Sequence, residues 1–257
     1  MAPQPPPTID DLGVRGSLYL GALLLGQGGR LPVAPTMRAT LAVLDLLKEF
    51  GLIEVPWPEA RWPVRPDAEE TPIEQLQWRY AWGAYSRDAL PEAIEEYLQS
   101  VPRDDYGLAC RLKLWEELAS AEAESFFEHQ LVKHRFPADW ARDLAFVQRQ
   151  SPQNLSVSQW RYCVWAAVRH GGALAQQQYT PDPAVLREGI FVELRRRVSH
   201  VAGGQWGACS LPPFQRLPQS ALGRVFVRHL TGPEFDFWSA APSLTGLLFR
   251  RQARQEP

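Results

Sequence analysis

The chain has 257 residues, 45% of them apolar and 22% charged, with a formal net charge of −2. That balance excludes a disordered or collagen-like polypeptide, and no run of about 18 apolar residues offers a membrane-spanning helix. Ten Trp and a basic set of 24 Arg against three Lys stand out from an otherwise ordinary composition.

Residues 1–10, Pro-rich and without the basic start of a secretory signal, read as a flexible tail. Leu12 to Leu25 follows as a short apolar helix stopped by Gly26, Gly28 and Gly29. Thr36 opens a second helix, in which Met37, Leu41, Leu44, Leu47 and Phe50 recur at helical spacing as one buried face. Gly51 suits a left-handed cap, and Leu52, Ile53 and Val55 form a brief strand-like run. The segment Thr40 to Val55, TLAVLDLLKEFGLIEV, resembles the final helix and first wing strand of winged helix-turn-helix domains. The resemblance implies a winged-helix-like module over residues 11–56.

Prolines 56, 58, 63 and 66 forbid a helix in PWPEARWPVRPDAEE, so residues 57–70 are expected to be an extended linker. Thr71, Pro72 and Glu74 combine a cap, a first-turn proline and a capping-box acid. A larger helical domain over 71–257 is expected from there. Its helices are predicted at Pro72–Ser86, Pro91–Gln99, Asp105–His134, Ala138–Gln150, Val157–His170, Pro183–Val201, Gln219–Leu230 and Leu244–Gln252, with Gly171, Gly172 and Gly232 as stops. Ser156 with Gln159, and Asp182, are the expected caps of two of them. The fold class is therefore mainly α.

Trp78 and Trp82 are spaced to stack on one helix face, as are Trp160 and Val164. Most Trp are expected in the core or as loop anchors; Trp57, Trp62, Trp206 and Trp238, in Pro or Gly-rich loops, are the candidates for a binding surface.

Position uncovers a division in the charge. Residues 1–128 carry 11 Lys and Arg against 21 Asp and Glu, and residues 129–257 carry 16 against 8. The halves either neutralise one another or present an acidic and a basic face, the latter open to phosphates and other acidic partners.

Nucleotide-binding glycine signatures, GxSxG, HExxH and CxxC are all missing. Cys110, Cys163 and Cys209 imply no disulfide framework and fit a reducing cytoplasm. The five His lack metal-ligand spacing, so neither metal nor cofactor is expected. On the long helix, Leu114, Trp115, Leu118, Phe126 and Val132 share an arc with Glu122, Ser125 and His129. A carboxylate near an imidazole is the raw material of acid–base chemistry, so Glu122 and His129 are the catalytic candidates. In the helix from Pro183, Arg187 and Arg197 fall within the apolar arc, whereas Arg195 and Arg196 point away. Either Arg187 snorkels and Arg197 pairs with a core acid such as Glu122, or Glu122, His129, Arg187 and Arg197 converge on an anion.

The winged-helix resemblance raises DNA binding, but Asp45, Glu49, Glu54 and Glu59 around Arg38 and Lys48 would repel phosphates. Arg187, Arg195, Arg196, Arg197, Arg224, Arg228, Arg250, Arg251 and Arg254 are the better anion or nucleic-acid candidates, Arg224 and Arg228 being one turn apart. The expected role is a non-enzymatic cytoplasmic binding protein with a protein partner and no membrane contact, such as a bacterial accessory factor in toxin neutralisation or phage defence. A nucleic-acid-binding regulator using the basic half and an enzyme built on Glu122 and His129 are the alternatives.

Overall fold

Helix α1 (Ile9–Gly28) begins on a reciprocal cap: the Thr8 N–H donates to Asp11 Oδ2 at 2.8 Å, and the Asp11 N–H donates to Thr8 Oγ1 at 3.3 Å. This box starts a first turn that breaks at Gly13, where φ is 60° and ψ is −174°, before the apolar run, and the Thr8 backbone donor holds the Asp11 carboxyl below its ordinary range. The computed structural model describes residues 7–28, 31–54, 79–83, 85–86, 88–151, 154–177, 182–205, 209–212, 217, 219–232 and 234–248. The expected linker, the helix start at Thr71, the three loop tryptophans Trp57, Trp62 and Trp206, and Arg250, Arg251 and Arg254 lie outside the described residues. What is described is mainly helical.

Thr36 caps helix α2 (Met37–Glu49), its Oγ1 accepting the Ala39 N–H at 3.1 Å, and Leu41, Val43, Leu44 and Leu47 are buried. The helix closes as the glycine implied. Gly51 takes φ +68°, its N–H donates to the Lys48 carbonyl at 2.9 Å, and the Leu52 N–H donates to the Leu47 carbonyl at 3.0 Å. Strand β1 (Ile53–Glu54) then pairs antiparallel with β2 (Arg79–Tyr80), Ile53 opposite Tyr80 and Glu54 opposite Arg79.

That pairing corrects the helix expected at Pro72–Ser86: its described part, from Arg79, is a strand and turns. Tertiary contacts overrule the local helix signals. The Ala81 N–H donates to the Leu52 carbonyl at 2.9 Å, and the buried Trp82 indole donates to the Pro7 carbonyl at 2.9 Å. Trp82 stacks on Tyr85, with centroids 4.8 Å apart, instead of pairing along a helix.

Helix α3 (Leu90–Ser100) buries Leu90, Ile94 and Leu98 at four-residue intervals, with Pro91 in its first turn. Asp104 starts helix α4 (Asp105–Lys133) by accepting the Gly107 N–H at 2.8 Å. Gly107 must be glycine, because a Cβ there would lie 1.9 Å from the Pro102 carbonyl oxygen. Beyond α4 the expected helix at 138–150 divides into a 3-10 turn, Ala138–Asp143, and helix α5 (Leu144–Gln150).

Helix α6 (Val157–Gln177) starts on the expected capping box, the Ser156 N–H donating to Gln159 Oε1 at 2.9 Å and the Gln159 N–H to Ser156 Oγ at 3.2 Å. It does not stop at Gly171 and Gly172. Gly171 instead admits the neighbouring helix α7 (Pro183–Ala202), since a Cβ would come within 2.4 Å of Ile190 Cγ1. Gly189 of α7 admits Leu174 in the same way. Asp182 caps α7 through the Ala184 N–H at 2.8 Å. The last elements are α8 (Ala221–Val225), a π-helical segment Phe226–Thr231 where α-helix was expected, and α9 (Leu244–Leu248).

The chain divides into two compact units, Met1–Arg111 with Gln219–Phe235, and Leu112–Pro218 with Asp236–Pro257. In the first, α1 packs on α2, α3 and α8. Gly21 makes the approach possible, since a Cβ would meet Val225 Cγ1 at 3.2 Å and Ile94 Cγ2 at 3.3 Å. The carbonyls of Pro32 and Val33 accept the first N–H groups of α8 at 2.8 and 2.9 Å. Buried Arg111 donates to the carbonyls of Leu230, Pro102 and Val101 at 3.0, 2.7 and 2.7 Å, tying the π-helical segment to the loop before α4.

The core of the second unit gathers Phe127, Leu131, Leu144, Cys163, Val164, Ala167, Ile190 and Leu194. Val132, expected on the buried side of α4, is 60% exposed in the helix's last turn.

Candidate functional site

The first unit carries an open groove of about 1150 Å³ between the end of α1, α3 and the segment formed by α8 and the π-helical turns. Leu24, Leu25, Leu31, Ile94, Val225 and Val227 make its floor. Leu25 is 41% exposed, a large apolar side chain left open to water. Arg224, Arg228 and Glu95 give the groove its charge, and His229 lines it beside them. Arg224 and Arg228 are exposed, and neither has a carboxylate partner among the described residues.

The π-helical stretch explains how Val227, Arg228 and His229 come to line one groove. Widening the turn shifts side chains from α-helical register, and such bulges recur at functional sites. Thr231 Oγ1 holds the end of the segment by donating to the Val227 carbonyl at 3.2 Å, and the Gly232 N–H donates to the same carbonyl at 2.7 Å. His229 is nearly buried, with Nδ1 3.4 Å from Glu95 Oε1 and without a hydrogen bond there. Burial pushes its imidazole below the ordinary pKa, against the pull of Glu95 and with the help of Arg228. That shift favours the neutral imidazole.

Sequence candidates in the second unit are placed differently. Glu122 is buried, and its ion-pair partner is Arg161, with Oε2 and Nη2 3.7 Å apart. Ser125 and His129 follow on the same helix, each half-buried. Arg197 pairs not with Glu122 but with Glu193 of its own helix at 2.6 Å, and it donates to Tyr162 Oη at 3.1 Å. Arg196 grips the same carboxylate in a fork at 2.7 and 2.8 Å. The two guanidiniums, Arg196 first, hold the Glu193 carboxyl down at about 2. Arg187 pairs with Asp143, and Arg195 with Glu188 at 2.9 Å. The arginines of α7 are thus bound to carboxylates, and the set Glu122, Arg187 and Arg197 is shared out among different partners.

Arg161 escaped the sequence reading. Its side chain is fully buried, 4.3 Å from the Trp238 ring and 5.1 Å from the Phe126 ring. Among the described residues none of its three guanidinium nitrogens has a hydrogen-bond partner, and burial lowers its pKa to about 10 against the pull of Glu122. The signal was present: Val157, Arg161, Val164 and Val168 recur on the buried face of α6. Trp238, read as a loop tryptophan, lies against this cation, and its carbonyl accepts both the N–H and the hydroxyl of Ser158 at 2.9 and 2.7 Å.

Cys110, Cys163 and Cys209 are free thiols, and burial pushes Cys163 up to about 12, far from a nucleophile's range. Among the described residues no three His, Cys, Asp or Glu side chains gather to hold a metal ion, and no helix is long and apolar enough to cross a membrane. Comparison with protein-family models, with curated proteins and with solved structures yields no match.

Proposed function

We propose that this chain is a non-enzymatic binding protein whose first unit receives an acidic, amphipathic helix of a protein partner. The observation that carries this reading is the pair Arg224 and Arg228, one turn apart beside an apolar floor and lacking carboxylate partners among the described residues. Every α7 arginine named as a candidate, by contrast, already pairs with a carboxylate, Arg196 and Arg197 sharing that of Glu193. At about 1150 Å³ the groove exceeds the roughly 300–1,000 Å³ of small-molecule pockets and suits a few turns of helix. Apolar residues on one face of the partner would cover Leu24, Leu25 and Val227, and acidic residues on its flank would meet the two arginines.

The winged-helix-like reading of the N-terminal part belongs to the same proposal. It is supported by the order α1, α2, β1, β2 and the antiparallel pairing of the two strands. Protein contact suits it better than DNA, because α2 carries Asp45 and Glu49 beside Arg38 and Lys48. A reducing, cytoplasmic setting accords with three free cysteines.

The test is fluorescence anisotropy with two synthetic amphipathic helices that share a leucine stripe, one flanked by Glu and the other by Lys. The Glu-flanked peptide binds, and Arg224→Glu with Arg228→Glu weakens it by about tenfold or more, as does Leu25→Asp. Equal binding of both peptides, or indifference to the groove variants, overturns the reading. Displacement of the peptide by an oligonucleotide with steep salt dependence would favour the nucleic-acid alternative.

A further inference from the structure

The second unit holds a separate cleft of about 410 Å³, formed by α4, α5, the loop to α6 and Pro242. We propose that it binds a free α-amino acid with an apolar side chain, as the zwitterion. Three features of the cleft are left incomplete in complementary ways.

The first is an amide. The Ser120 hydroxyl donates to Gln148 Oε1 at 2.5 Å, which fixes the orientation of the Gln148 side chain. Its Nε2 is then buried without an acceptor. A buried amide donor left unmatched is costly, and a bound acceptor relieves that cost.

The second is a pair of opposite charges that do not neutralise each other. Arg149 stacks over the Phe146 ring at 4.8 Å and has no carboxylate partner among the described residues. Glu116 lines the same cleft and makes no ion pair among the described residues; its Oε1 accepts from Asn154 Nδ2 at 3.1 Å. Asn154 gives its other bond to the Pro242 carbonyl, also at 3.1 Å, so it anchors this wall. The third feature is the apolar remainder of the lining, supplied by Ala119, Leu155 and Trp160.

A carboxylate answers Gln148 Nε2 and Arg149, an ammonium answers Glu116, and an apolar side chain covers Leu155 and Trp160. Phosphates and dicarboxylates would bring a second negative charge towards Glu116, and polyamines would face Arg149. The volume falls in the range of about 300–1,000 Å³ of small-molecule sites.

Isothermal titration of the full chain with L-leucine and L-phenylalanine, each compared with its N-acetyl and its amide derivative, tests the proposal. The free amino acids give saturable heats and raise Tm, and each blocked form, missing one charge, binds about tenfold or more weakly. Glu116→Gln, at an exposed position that leaves folding intact, produces the same loss, as does Gln148→Leu. The proposal is overturned by lack of saturation up to about 10 mM ligand, a concentration that corresponds to negligible affinity. It is equally overturned by blocked forms that bind as well as the zwitterion, or by Glu116→Gln binding as tightly as the native chain.

Discussion

Two buried arginines show how the same residue is accommodated in opposite ways. Arg111 has no ion-pair partner among the described residues, yet three carbonyls accept hydrogen bonds from it, and burial lowers its pKa. Arg161 has a carboxylate 3.7 Å away and two aromatic faces but no hydrogen bond. Glu122 balances its charge. Replacing Glu122 by Leu alone therefore leaves a buried cation uncompensated and costs about 3–5 kcal/mol in urea unfolding. The double variant Glu122→Leu with Arg161→Met recovers most of that loss, since an apolar pair of similar volume replaces an ion pair. Strict additivity of the two substitutions would show that the pair is not coupled. Glu122 was legible in the sequence as a polar intrusion into an apolar stripe, but its partner was not, because three-dimensional neighbours on different helices leave no mark in local spacing.

At the scale of elements, glycines did two jobs that look alike in a sequence. Gly51 ends α2 at φ +68°, where an L side chain is strained, so Gly51→Ala is expected to cost about 1–2 kcal/mol. Gly171 does not end α6. A Cβ there would press Ile190 Cγ1 to 2.4 Å, so Gly171→Ala raises local helix propensity yet destabilises by about 1–3 kcal/mol through overpacking. Thermal unfolding of the two variants separates these costs, and pairing Gly171→Ala with Ile190→Ala restores part of the second but none of the first. The capping signals at Thr36, Ser156 and Asp182 were readable because a cap acts within three residues. The strand at Arg79–Tyr80 was not, because its partners lie 25 and 27 positions earlier, at Glu54 and Ile53. The π-helical turns at Phe226–Thr231, which shape the candidate groove, likewise carry no local signature that distinguishes them from α-helix.

For the molecule as a whole, pH dependence sums these local environments. His229 and His134 are both pushed below the ordinary imidazole value of 6.5, each chiefly by burial. The unfolded chain then binds protons more readily than the folded one, so their contribution is complete above pH 6.5 and declines as the pH falls below it. Glu193 acts in a lower window. Its contribution is present above the unfolded value of 4.5 and is lost as the pH approaches about 2. With Arg196 half exposed, about 2 kcal/mol of it should survive screening. Urea midpoints from pH 8 to 3 are expected to fall in both windows; Glu193→Gln diminishes the lower decline only, leaving the part that Asp11 contributes, and an undiminished lower decline in the variant would refute the assignment. The division of charge along the chain also takes on meaning here. Gln219–Phe235, from the basic half, folds into the first unit with the acidic N-terminal residues, bringing Arg224, Arg228 and His229 into one groove with Glu95. Composition, apolar period and capping pairs determined by themselves that the chain is mainly helical and where most helices begin, since those are interactions over a few residues. Which arginines are neutralised, which glycines admit a neighbouring helix, and which distant segment completes the first unit were decided only by the tertiary structure, because each depends on side chains that chain connectivity holds far apart and packing brings together.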